Sequence, residues 1–140
     1  MISIDHFHPM LVHFPIALVM LGFVAECAAL YFKKETCFSK MGFYLLIVGT
    51  LSAVLALSSG VFFTSEMDGT AGVVKETHEL FAWITLGLLL VTSALRIFSV
   101  TKKSDNMKWL VFALYGFAAI SVSITGFFGG SLVYNYMMPL

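Results

Sequence analysis

The sequence predicts an all-α integral membrane protein, a bundle of four spanning helices with both termini on the outer side. Three observations carry this. Of 140 residues, 59% are hydrophobic and 11% charged, whereas a soluble domain carries about 25% charged residues. Four continuous apolar runs each reach the roughly 20 residues that a helix needs to cross the hydrocarbon core. Seven of the eight Lys and Arg residues fall in or beside two connections that an even number of crossings puts on one side.

The runs cover about residues 9–32, 42–63, 78–100 and 107–134. None shows the alternation of a membrane-barrel strand, and an isolated strand cannot satisfy its backbone in lipid. They make one domain, residues 1–140, without a repeat or linker. A net charge of +0 leaves no nucleic-acid footprint. No secretory signal reads at the N-terminus, so the first run is expected to stay as a helix.

The first run has Pro9 near its start, where a missing N–H costs nothing. Pro15 follows about two turns in and frees the carbonyl near Leu11, so the helix should bend there. The second run carries a stripe of small residues, Gly49, Ala53, Ala56 and Gly60, that lets helices approach closely in lipid. The third run places His78, Ala82, Thr85, Leu89, Thr92 and Arg96 on one face, the more polar one, which should point inward. The fourth holds Gly126 and Gly130 at GxxxG spacing, a packing signal that also leaves room for a flat ligand. Trp109 at its start and Tyr134 and Tyr136 at its end read as interfacial anchors.

Charge sets the orientation. Lys33, Lys34 and Lys40 lie at the first connection, and Arg96, Lys102, Lys103 and Lys108 at the third; Lys75 stands alone on the other side. The lysine-rich side is therefore expected to be cytoplasmic. The outer side is acidic, with Asp5, Glu66, Asp68, Glu76 and Glu79, and holds all four histidines, His6, His8, His13 and His78. Cys27 and Cys37 fall towards the cytoplasm, are not spaced as a metal knuckle, and should be reduced thiols.

The histidines carry the chemistry. An ionisable group inside a spanning segment is a functional hypothesis by default, which singles out His13. His13 is expected on an inward stripe with Ala17, Met20, Val24 and Cys27, at the depth of His78 at the mouth of the third helix. Two inward imidazoles on facing helices are how bundles hold haem or a metal. The plainer reading makes His6, His8 and His78 wet interfacial residues. Glu26, on the face below His8, is the other buried ionisable group. Its expected partner is Arg96, with a proton path as the alternative.

The string from His8 to Leu18, HPMLVHFPIAL, resembles the opening of a bacterial membrane-protein family, domain-of-unknown-function family 2231. The resemblance extends to Gly60, to His78 and to the ending Gly129-Gly130-Ser131-Leu132-Val133-Tyr134, and so spans essentially the whole chain. Members often carry a histidine just before the double glycine, where this chain has Phe127 and Phe128, which removes one ligand candidate. The resemblance implies a small four-helix protein of the bacterial inner membrane, sometimes encoded with respiratory or cytochrome components, and no established activity.

The function expected from these residues is a b-type haem-binding electron-transfer protein or respiratory-complex subunit, with its site near the periplasmic face. His13 and His78 would be the axial ligands. His8 would replace His78 or hydrogen-bond a propionate. Against this stands the shortage of outer cations, since only Lys75 is there to meet propionates. The alternatives are a non-enzymatic accessory or assembly subunit, and a copper-binding protein that uses thioethers such as Met10, Met67 and Met137 with imidazoles. The expected partners are the lipid bilayer, other subunits of a redox complex, or further copies of the chain; no independent enzymatic activity is expected.

Overall fold

The computed structural model describes residues 7–137. The chain forms α1 (Phe7–Leu11), α2 (His13–Tyr31), α3 (Thr36–Phe63), α4 (Gly69–Lys102) and α5 (Lys108–Leu132), followed by a π-helical turn, Val133–Met137. No strand occurs among the described residues. Four helical units are long and apolar enough to cross a membrane, with α1 and α2 together making the first. α2 packs on α3 and α4 on α5, and α2–α5 and α3–α4 contacts close the bundle.

α1 and α2 are one helix interrupted at Val12. Pro15 has no N–H to give the Leu11 carbonyl, and the break falls one residue beyond that carbonyl. Val12 itself stays near helical geometry, and its N–H reaches His8 O at 3.2 Å.

α3 and α4 begin well before their apolar runs, at Thr36 and Gly69 rather than near residues 42 and 78. Hydropathy registers only the lipid-matched part of a helix, and the polar turns of residues 36–41 and 69–77 lie outside it. Gly69 takes a positive φ of 65° where the chain turns into α4, a conformation that a side chain disfavours. At the other end of α4, Lys103 is left-handed and its N–H returns to Ser99 and Val100 carbonyls, closing the helix. Because α4 starts early, His78 sits more than two turns inside it rather than at its mouth.

The core is small and tightly filled. Val19, Leu46, Leu89, Tyr115 and Ala118 are almost fully enclosed, with Ala53, Leu86, Ala119 and Val122 around them. Such burial cannot come from a hydrophobic preference alone, because lipid is as apolar as Leu; close backbone approach supplies it. A Cβ at Gly49 would press on Val19, and one at Gly22 would overlap the Tyr115 side chain. Leu21, Val24, Leu51, Leu55, Leu90, Val91, Phe117 and Ile120 point outward, as a lipid-facing belt requires.

The polar stripe of α4 faces inward: His78, Thr85, Leu89 and Thr92 are buried. The corresponding expectation for the first helix is overturned. Ala17, Met20, Val24 and Cys27 are exposed, and Pro15, Val19, Gly22 and Ala25 are buried instead. Both stripes are apolar, so hydropathy does not separate them. Small size at Gly22 does, because it admits the Tyr115 side chain.

At the end of the bundle that holds the lysine-rich connections, Arg96 Nη2 donates to Glu26 Oε1 at 3.0 Å and to Ser39 Oγ at 2.7 Å. This is the ion pair expected from the two charges. Gly42 lies against Glu26, where a Cβ would collide with the carboxylate. The small residue is what lets a charged side chain pass between α2 and α3.

Candidate functional site

At the opposite end, a cavity of about 450 Å³ opens among α1, α2, α3, α4 and α5. His8, His13 and His78 all line it, with Thr85, Thr125, Lys75 and Glu79 as further polar groups. His6 lies outside the described residues.

The structure brings His8 and His78 together. Their ring centroids are 6.2 Å apart and their planes cross at 82°. α1 places His8 and α4 places His78, so the two rings come from elements far apart in sequence. His8 Nδ1 lies 2.8 Å from Ser59 Oγ and 3.1 Å from the Ala56 carbonyl, both on α3. His78 Nδ1 lies 2.9 Å from the Thr125 carbonyl on α5. A carbonyl only accepts, so Nδ1 carries the proton in both rings. In the neutral imidazole the lone pair is then on Nε2. No hydrogen bond among the described residues engages either Nε2.

This arrangement is how proteins hold metal-ligating histidines: the second ring nitrogen donates to a carbonyl, fixing tautomer and orientation. The supports are themselves anchored. Ser59 Oγ donates to Ala56 O at 2.7 Å. Thr125 Oγ1 donates to Ser121 O at 2.9 Å, and Thr85 joins α4 to the same patch through Ser121 Oγ at 2.7 Å.

Two glycines make room for the rings. A Cβ at Gly60 would stand 2.9 Å from His8 Cε1, and one at Gly129 would stand 3.0 Å from His78 Cε1. Sequence reasoning assigned both stripes to helix packing. That holds for Gly49, and for Gly126 against Ile16, whereas Gly60 and Gly129 serve the imidazoles.

His13 is placed differently. Its Nδ1 lies 2.7 Å from the Pro9 carbonyl one turn back, on an exposed part of the helix. It edges the cavity without pairing with either of the other rings. His8 was the less favoured candidate because Pro9 follows it and biases it towards extended backbone; here it is helical. A usable signal was present: His8 and Glu26 are separated by about five helical turns, so the inward charge of Glu26 points to His8 rather than His13.

Lys75 lies on the cavity wall one turn before His78. Its side chain is 10% exposed, and Nζ is 3.3 Å from both Glu66 and Glu79 carboxylates. Among the described residues, no group of three or more His, Cys, Asp and Glu side chains is arranged to hold a metal ion. Among the described residues, the imidazoles brought side by side are thus those of His8 and His78.

A family model described as "Predicted membrane protein (DUF2231)" matches residues 5–139. No curated protein and no solved structure matches the chain.

Proposed function

The chain belongs to the DUF2231 family of predicted membrane proteins, and from that premise we propose that it is a b-type haem-binding electron-transfer protein, with His8 and His78 as the two axial ligands. The observation that carries this reading is the paired geometry of the two rings. The ring centroids of His8 and His78 stand 6.2 Å apart, close enough that both imidazoles would hold one metal ion. The donor set agrees. A metal held by two protein ligands alone must draw its other ligands from elsewhere, and a porphyrin brings four nitrogens of its own. Gly60 and Gly129 give each ring the room it occupies, since a Cβ at either position would press on the imidazole.

When bound, such a haem would supply one-electron redox chemistry between ferric and ferrous iron. The chain's own groups do the rest. The Ala56 and Thr125 carbonyls hold each ring and raise its basicity as a ligand. The apolar walls, among them Val12, Ile16, Leu57 and Val122, limit water around the site.

The direct test is the absorption spectrum of protein purified in detergent from cells with ample haem. A Soret band with sharp α and β bands on reduction is expected. A colourless protein overturns the reading and leaves a packing role among other subunits.

We also propose that the protein lies in a bacterial inner membrane, with both termini and the histidine site periplasmic. Supporting this, seven of the eight Lys and Arg lie at the other end of the bundle, and cytoplasmic connections carry an excess of Lys and Arg. Alkaline phosphatase fused after Leu140 should be active, and a fluorescent protein that matures only in the cytoplasm should stay dark there. The reverse pattern overturns the orientation.

A further inference from the structure

Among the described residues, Lys75 is the one Lys or Arg at this end of the bundle. Its stem is covered, with 10% of the side chain exposed, and its ammonium lies between two solvent-facing carboxylates: Glu66 is 97% exposed and Glu79 51%. Pairs with exposed carboxylates return little, so either partner can be exchanged at small cost. Glu66 lies in the connection before α4, so its carboxylate can move away without disturbing a helix. Lys75 and His78 are three residues apart on α4, on one face, and both line the cavity. Lys75 is the outer of the two, nearer the start of the helix and the water boundary.

We propose that Lys75 is a carboxylate-recognition group of the cavity, and that it takes a carboxylate of the bound ligand in exchange for Glu66. This rests on the haem reading above and deepens it: the ligand is selected as an amphipathic acid, its apolar body at His8 and His78 and its acid group pointing outward. Glu79, in the same helix, stays as the second partner and keeps Nζ aimed at the cavity. A ligand whose carboxylates are masked fits the walls equally well and loses only this contact.

The test compares haem b with its dimethyl ester, titrated into the full-length protein in detergent and followed by the Soret band. The wild type should bind haem about tenfold or more tightly than the ester, the worth of one charge-assisted hydrogen bond. Lys75→Gln should bind both forms with the ester's affinity, and Lys75→Arg should restore the preference. The α and β bands should be the same throughout, because His8 and His78 are untouched. A wild type that binds both forms equally, or a Lys75→Gln variant that keeps the preference, overturns the role of Lys75 alone. A wild type that binds neither form overturns the haem reading and this inference with it.

Discussion

His8→Ala and His78→Ala should each abolish the low-spin haem spectrum, and His13→Ala should retain it. On the proposed assignment each of the first two changes removes one ligating nitrogen, and among the described residues no further His, Cys, Asp or Glu groups with the pair. The loss should exceed the ten- to hundredfold that removing a hydrogen bond behind a metal ligand costs, roughly. Ser59→Ala sets that lower scale: His8 would keep the Ala56 carbonyl at 3.1 Å and lose only the 2.8 Å contact. The readouts are the reduced α band and the spin state of the ferric form. Circular dichroism should show the spanning helices intact in the histidine variants, because the core of Val19, Leu46, Leu89, Tyr115 and Ala118 includes neither residue. The assignment is wrong if His8→Ala keeps a full low-spin spectrum. If His8→Ala keeps it and His13→Ala loses it, the ligand pair is His13 and His78 instead.

Glu26→Gln should lower the melting temperature in detergent more than any exposed substitution. The carboxylate lies between α2 and α3 against Gly42, and Arg96 spans from α4 to reach it. Removing one partner of a buried ion pair strands the other, at about 3–5 kcal/mol. Arg96 already has a buried Nε without a partner, so it has little left to fall back on beyond Ser39. Replacing both charges, as Glu26→Gln with Arg96→Met, should recover much of the loss, since the stranded charge is then gone. An unchanged melting temperature in Glu26→Gln would mean that Arg96 reaches water on its own. A double variant as unstable as the single one would assign the cost to packing rather than charge.

These two sites were legible in the sequence to different degrees, for a physical reason. In a membrane, polarity marks the inside of a bundle and apolarity marks nothing. The α4 stripe could be read because His78, Thr85, Thr92 and Arg96 are polar, and the Glu26–Arg96 pair because neither charge is tolerable alone in lipid. The first helix offered no such contrast: Val19 and Ala25 repeat the residue types of Val24 and Ala17, and only Gly22 stands apart by its size. Its face was therefore misassigned, and His13 drew the weight that the geometry gives to His8. The extra turns at the starts of α3 and α4 were hidden because they lie in water, beyond the reach of a hydropathy count. The role of Gly60 and Gly129 was closed to sequence reading for a different reason. A glycine that admits another backbone and one that admits an imidazole look alike until the neighbour is known.

α1 is five residues long, buries none of them, and joins α2 through the interruption at Val12. Its polar hold on the bundle is the His8 ring against α3. Such a segment opens locally at far lower cost than the spanning helices, whose cores must be pulled apart first. One half of the site is thus mounted on a latch and the other half on a fixed post. Whatever binds between the two rings adds its own free energy to the closing of that latch. The amides of α1 would then report occupancy, exchanging slowly when the site is filled and quickly when it is empty, while those of α4 exchange alike in both states.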